Sequence, residues 1–594
     1  MDSLRQKREI WLYGLAFLLA LALRLIRLGA FPLTDTEAAS ALQALQVAQG
    51  ARPLVGPNSA YVLLTGIFFF LFESSNFLAR FVPALAGAFL VFVPLLFRGR
   101  LKPTVALVLA FFLAVDTGLL ALSRQAGSSI LAVTFLLFAW GFWEHRWTRL
   151  AGVFAAAAIL SGTTLWAGLL GLALSWAILQ SLERTPAEKT PQSGDDPDST
   201  TSLLSSPSSA TDTEPPQTAP STPLTRDSWK PALQAFIVTF VLFGTLVFTA
   251  PGGLNGALAA LLEYVRGWVA PSNVPGAQVF LSLLFYQPLT VLLALVAIVR
   301  GWLGGSRRAI RLSVWMLVAL LLAVFYPAHQ VHDLVWALIP LSALAALELS
   351  RHFDLRSEER VEVGGVIVLT VLILAFAWLD LASIPWTPGP SGETNLRFWL
   401  LFGALFLLLI SILLVAVGWS LRTARLGAVW GITIFLTLYT LAVGLAAGRL
   451  RVNYTSELWG AGPYPTHAKL LASTVADLSE WDMGQVDAVP VTIFNVDSPA
   501  LRWALRSHAI TVVNALDPGA APPILITPLL NNPGLAASYR GQDFTWGQQP
   551  NWDSALSGDW LRWLVQREMP QTYDTILLWA RTDLFIDAAH QNAP

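Results

Sequence analysis

Two carboxylates, Asp35 and Glu37, stand just past the first long apolar stretch, in Pro32-Leu33-Thr34-Asp35-Thr36-Glu37-Ala38. Carboxylates at the edge of a membrane are costly to desolvate and commonly mark function. The same two residues also suit the cap and first turn of an amphipathic helix over 37–49, and capping and function are compatible. Two arginines, Arg80 and Arg124, fall at the outer ends of apolar stretches. A guanidinium there can fork onto two phosphate oxygens or simply snorkel to the interface. A third group, His329, His332 and Asp333, lies in Tyr326-Pro327-Ala328-His329-Gln330-Val331-His332-Asp333. It has metal-ligating residue types but lacks a separated further ligand, so it reads as interfacial polar residues or a substrate contact, with no metal expected.

The elements that must position these groups are membrane helices. The 594 residues are 55% hydrophobic and 13% charged, with a mean hydropathy of +0.58, whereas soluble domains are nearer a quarter charged. Apolar runs recur that are long enough to cross about 30 Å of hydrocarbon as helices. They lack the alternation of barrel strands. The reading is a multi-pass α-helical membrane protein with about 13 transmembrane helices. Expected spans are 10–29, 79–97, 104–122, 128–143, 150–163, 165–182, 232–250, 277–299, 312–327, 333–349, 362–380, 398–420 and 427–447. The first is read as an uncleaved span, because no small-residue cleavage site follows it. The net charge of -1 gives no reason to expect a nucleic-acid partner, and with no cysteine there is neither a disulfide nor a thiolate metal site.

Positive charge sorts the loops. Arg5, Lys7 and Arg8, then Arg98, Arg100 and Lys102, then Arg146 and Arg149, then Arg300, Arg307, Arg308 and Arg311, and last Arg422 and Arg425 fall on one side of a thirteen-span chain. The N-terminus is thus expected in the cytoplasm, with residues 30–78 and the tail after 448 outside. Four units follow: an N-terminal transmembrane module, 1–184, carrying the external loop 30–78; a Ser/Thr/Pro-rich cytoplasmic linker, 185–228, expected to be disordered; a second transmembrane module, 229–447; and an external α/β domain, 448–594. Residues 60–73 are apolar but short and read as a helix lying on the outer surface. In the tail, strand-like runs at 489–494, 509–513, 523–527 and 575–579 alternate with helical patterns at 467–481 and 498–507. Asp116 and Asp380 are expected to be solvated at outer span ends, and the 24 tryptophans mostly suit interface belts.

The order Pro-x-x-Asp-x-Glu-Ala, helix, Gly50, surface helix, then Asn76-Phe77-Leu78-Ala79-Arg80-Phe81-Val82-Pro83-Ala84-Leu85-Ala86-Gly87 resembles the GT-C membrane glycosyltransferases, in particular the protein O-mannosyltransferase and aminoarabinose transferase branch. Ala121-Leu122-Ser123-Arg124-Gln125 resembles that family's Ser-Arg ending of the third span. The resemblance covers about residues 10–180 and fades toward about 350. It differs in three places: Thr36 separates the family's adjacent Asp-Glu pair, Gly127-Ser128-Ser129 stands where an acid often follows Ser-Arg, and Val55-Gly56-Pro57-Asn58 replaces a Lys-Pro-Pro stretch.

The resemblance implies an inverting, metal-independent cell-membrane glycosyltransferase with no cofactor. It would move a sugar from a polyprenyl-phosphate donor to an external protein, lipid or glycan acceptor. Asp35 or Glu37 would be the base, Arg80 and Arg124 would meet the donor phosphate, and His329, His332 and Asp333 would be possible substrate contacts. The chemistry is coherent, since a base must reach the acceptor proton and cations must meet the charge developing on the leaving phosphate. The rival expectations are a transporter or flippase-associated protein handling the same lipid without catalysis, and a non-catalytic scaffold.

Overall fold

The structure is a computed structural model, and it describes residues 2–184, 229–272, 274–353, 359–386, 392–451 and 456–585. The linker expected over 185–228 lies outside the described residues. Among the described residues seven helices are long and apolar enough to cross a membrane, or nine if each of two bent pairs is one span. Four of the thirteen expected spans are not among the nine: the first, whose helix Asp2–Leu25 includes the charged Arg8, Glu9 and Arg24, and three that are too short. Ile130–Glu144, Thr148–Ile159 and Trp229–Gly244 have 15, 12 and 16 residues. At 1.5 Å per residue such helices run about 18–24 Å, short of the hydrocarbon thickness.

Each bent pair falls on one expected span, 104–122 or 277–299, and side chains account for both breaks. Pro103–Val115 and Thr117–Ser123 meet at 54° around Asp116. Asp116 accepts the Leu119 N–H at 2.9 Å and caps the second piece. Arg24, fully buried, donates to the carbonyls of Leu113 and Ala114 at the end of the first piece, at 3.2 and 2.9 Å. The orphan groups of both helix ends are thus satisfied by side chains. Asp116 is therefore not solvated as expected, being 2% exposed, and neither is Asp380, also buried. Gly276–Tyr286 and Pro288–Leu303 meet at 92°. Pro288 has no N–H to continue the ladder and disfavours helical geometry at Gln287.

The loop of residues 30–78 folds as two helices, Asp35–Ala48 and Ser59–Leu71, that pack on each other. Gly50, at φ +79°, turns the chain after the first, where only a residue without Cβ is unstrained. The second helix is apolar throughout: its start buries Tyr61, Val62 and Leu63, while its end exposes Phe70 and Leu71, with Phe72 just beyond.

The tail forms a six-stranded mixed sheet: β1 (Tyr464–Pro465), β2 (Val491–Phe494), β3 (Ile510–Val513), β4 (Ile524–Pro528), β5 (Tyr539–Pro550) and β6 (Gln571–Arg581), in the order β1-β5-β6-β4-β2-β3. β2 runs parallel to β3 and β4, while the remaining pairs are antiparallel. Helices Ala468–Met483 and Pro499–Ala504 stand where the pattern placed them. The sequence reading did not include β5, whose Tyr-Arg-Gly-Gln-Asp run is polar and becomes a strand by pairing with β6.

Leu33, Ala41 and Val62 of the loop belong to one continuous core with Leu471, Val491, Ile524 and Phe544 of the tail. Polar bonds cross the same seam. The Trp503 indole N–H donates to Asn76 Oδ1 at 2.7 Å, Arg506 donates to the Ser74 hydroxyl and carbonyl at 3.1 and 3.0 Å, and Lys469 donates to the Ala30 carbonyl at 3.0 Å.

Candidate anion-binding site beside the first loop

Glu37 sits in the first turn of Asp35–Ala48, where the local sequence puts it three residues after the N-cap Thr34. It is 1% exposed. Its Oε1 accepts from Arg80 Nε at 2.7 Å and from the Ala126 N–H at 3.1 Å. Its Oε2 accepts from Arg80 Nη2 at 2.8 Å and from the Thr34 N–H and hydroxyl at 3.1 and 3.2 Å. A carboxylate offers about four lone-pair positions, so these bonds occupy it fully. Burial pushes this carboxyl upward, but the charge and hydrogen bonds of Arg80, the charge of Arg449 and the Thr34 N–H outweigh burial and hold it at about 2. Arg80 is equally committed. Beyond its two bonds to Glu37 it donates to the carbonyls of Leu28, Phe31 and Pro32 at 3.3, 2.9 and 2.9 Å. All five guanidinium N–H groups are engaged, and they tie the end of the first helix and the start of the loop to Asn76–Phe89.

Asp35, two residues earlier, turns the other way. Its Oδ1 accepts the Ser498 hydroxyl at 2.6 Å and the Ala500 N–H at 2.9 Å, fastening the loop to the start of Pro499–Ala504. Its Oδ2 accepts no hydrogen bond among the described residues. Asp35 and Glu37 thus do different things, as neighbours that do not share a helix face must.

Arg124 follows Thr117–Ser123. Its Nε donates to the Gly448 carbonyl at 2.5 Å and its Nη1 to the carbonyls of Leu23 and Arg24 at 3.0 and 2.7 Å. It therefore joins the ends of three membrane helices, and no bond from its Nη2 is found among the described residues. Beside it is Arg449, a residue the sequence reading did not single out. It takes the left-handed conformation (φ +54°) directly after Gly448, where the last long helix stops, and its guanidinium lies 4.5 Å above the Tyr464 ring of β1. A bulky residue kept at positive φ stores strain, and such strain clusters at functional sites. The run Gly448-Arg449-Leu450-Arg451 at the end of the last apolar stretch was the available signal.

One hollow collects the three arginines, and neither Asp35 nor Glu37 lines it. It is lined by Leu28, Phe31, Arg80, Arg124, Gln125 and Arg449, with Ala121, Ala447 and Gly448 as its floor. Gln125 is fixed by a bond from its amide to the Trp459 carbonyl. Among the described residues neither Arg124 nor Arg449 has a carboxylate partner, so the hollow has a net positive lining. Dense guanidinium groups of this kind attract an anion with several oxygens.

His329, His332 and Asp333 are elsewhere. None of them lines this hollow. Asp333 accepts the Gln330 N–H at 2.9 Å, His329 Nδ1 pairs with the Tyr326 carbonyl at 2.7 Å, and His332 Nε2 stands 3.8 Å from Asp333 Oδ1. No group of three or more metal-ligating side chains occurs among the described residues.

Compared with solved structures, the chain is similar to ArnT from Cupriavidus metallidurans bound to undecaprenyl phosphate, with 13% identity and a TM-score of 0.48 over 96% of this chain and 98% of that one. It is similar to the apo state of the same protein, with 13% identity and a TM-score of 0.45 over 85% and 86%. A third similarity is to the Archaeoglobus fulgidus oligosaccharyltransferase in complex with Zn and sulfate, with 14% identity and a TM-score of 0.25 over 87% and 68%. No family model and no curated protein matches the chain.

Proposed function

We propose that this protein is a GT-C-type membrane glycosyltransferase that takes a sugar from a polyprenyl-phosphate donor and passes it to an acceptor on the outer face of the cell membrane. The observation that carries this reading is the gathering of Arg80, Arg124 and Arg449 around one hollow at the ends of membrane helices. Arg124 and Arg449 would take the phosphate oxygens. Arg80 would contribute its charge while holding the loop, because its donors are in use.

Asp35 is the better base, because its Oδ2 is open whereas Glu37 is saturated. In the reaction an acceptor oxygen forms a bond to the anomeric carbon from the face opposite the phosphate. The bond between anomeric carbon and phosphate oxygen breaks, and its electron pair stays on the phosphate beside the arginines. The acceptor proton passes to Asp35.

The test is transfer of labelled sugar from a polyprenyl-phosphate donor in vesicles carrying the full chain. Asp35→Asn is expected to keep donor binding and lower transfer about 100-fold or more. Unchanged transfer in that variant removes the base assignment.

A second reading is a carrier of the same lipid that performs no transfer. Asp35 Oδ1 is already engaged by the tail, and transporters use interrupted helices like the two bent pairs. Polyprenyl phosphate bound at the arginines and moved between leaflets, with no sugar transfer to any acceptor class, would establish that reading instead.

A further inference from the structure

A second hollow lies apart from the arginines, and its chemistry is the reverse. It is walled by small and aromatic residues, Gly168, Gly171, Tyr264, Tyr326 and Trp336 among them, and Asp333 is the one charged side chain in its lining. The rings are held by specific bonds. Tyr326 stacks on Tyr264 with centroids 5.1 Å apart, and Trp268 meets Tyr326 edge-on at 5.4 Å. The Tyr326 hydroxyl donates to the Tyr264 carbonyl at 2.8 Å, and the Trp336 indole N–H donates to the Thr164 carbonyl at 2.8 Å.

Two glycines make room for this. A Cβ on Gly168 would strike the Trp336 indole, and a Cβ on Gly267 would strike the Tyr326 hydroxyl. With the polar tips of Tyr326 and Trp336 tied to backbone carbonyls, these rings meet the hollow chiefly with carbon. Asp333 has one oxygen committed to the Gln330 N–H, while the other, Oδ1, stands 3.8 Å from the His332 ring.

An apolar hollow lined by aromatic rings and a single carboxylate is complementary to a soft cation with an apolar stem. Ring quadrupoles attract ammonium groups within about 6 Å, more strongly when water is excluded. The Asp333 carboxylate, with 13% of its side chain exposed, supplies the counter-charge. An anion would meet only Asp333 and carbon, and an uncharged apolar group would shield Asp333 from water without pairing its charge. We propose that this hollow binds an organic ammonium group, primary or quaternary, against Asp333 and the Tyr264, Tyr326 and Trp336 rings. The group could reach it on a lipid head or on a soluble amine. The site stands independently of the function proposed for the arginine hollow.

The test uses the full chain in phosphatidylglycerol nanodiscs, titrated calorimetrically with propylammonium chloride and with 1-butanol as its uncharged counterpart. Saturable binding of propylammonium alone is expected. Asp333→Asn keeps an oxygen for the Gln330 N–H, so the cap survives while the charge is lost, and affinity should fall tenfold or more. Gly171→Leu fills the hollow without touching the acid and should also abolish binding. No saturable binding by the unaltered chain, or unchanged affinity in both variants, overturns the proposal. Native mass spectrometry from mixed nanodiscs then separates the sources. Phosphatidylethanolamine retained over phosphatidylglycerol, and lost in Asp333→Asn, supports a lipid head group; no lipid preference beside intact propylammonium binding supports a soluble amine.

Discussion

Glu37 and Arg80 form the best-defined pair in the molecule, and their chemistry sets what each can do. Removing one partner of a buried ion pair strands the other charge and costs about 3–5 kcal/mol. Arg80→Ala should accordingly lower the melting temperature sharply and loosen residues 30–78, read as protease cleavage in that loop. The pair also has a pH signature. The folded Glu37 carboxyl titrates at about 2 against an ordinary 4.5. Its contribution, about 3 kcal/mol, is complete above about pH 4.5 and is lost as pH falls toward 2. Thermal melts across that window should show the loss in the unaltered chain and a flatter profile in Glu37→Gln. Arg449 behaves differently. Arg449→Gly relieves a left-handed backbone worth about 1 kcal/mol and removes a ring contact worth about 0.5–1 kcal/mol. Melting should therefore change little, whereas polyprenyl phosphate binding should weaken about tenfold, because a charge-assisted phosphate contact is worth about 1.5 kcal/mol or more. Equal binding in that variant would remove Arg449 from the site.

The elements gain their shapes from side chains distant in sequence. Arg24 reaches from the end of Asp2–Leu25 to the carbonyls of Pro103–Val115, and Asp116 begins the next piece. An apolar run such as 104–122 carries no sign that its middle carbonyls will be answered by an arginine some 90 positions away. Hydropathy therefore reads it as straight. The bend at Gln287 was open to reading, because Pro288 follows it, yet hydropathy alone merged its two halves. Close packing gives an element-scale prediction as well. Gly168→Ala would push a methyl group into the Trp336 ring, and overpacking of that kind costs about 1–3 kcal/mol. The expected result is a lower melting temperature and altered tryptophan emission, with Gly365→Ala, where a Cβ meets nothing within 4 Å, as the harmless control.

At the scale of the whole molecule, the tail is part of the site's architecture. Asp35 fastens to Ser498 and Ala500, Thr36 donates its hydroxyl to the Ala461 carbonyl at 2.7 Å, and Arg449 rests on Tyr464. Such contacts require the loop and the tail to lie on the same side of the membrane. In this cysteine-free chain, single cysteines at Thr36 and Asp487, both exposed, should be labelled by an impermeant reagent from the same face. Labelling from opposite faces would contradict the seam.

The division between sequence and fold follows from the range of the forces involved. Local terms were legible in the chain: apolar length for the helices, the cap residues before Asp35–Ala48, Gly50 after it, and the strand-like runs of β2, β3, β4 and β6. So was the presence of carboxylates and guanidiniums near the outer ends of spans. Which of them meet was settled by contacts across tens to hundreds of residues. The fold paired Glu37 with Arg80, turned Asp35 to the tail and brought Arg449 to Arg124. A carboxylate's availability depends on how many donors the folded chain aims at it, and that number exists only once distant segments have packed.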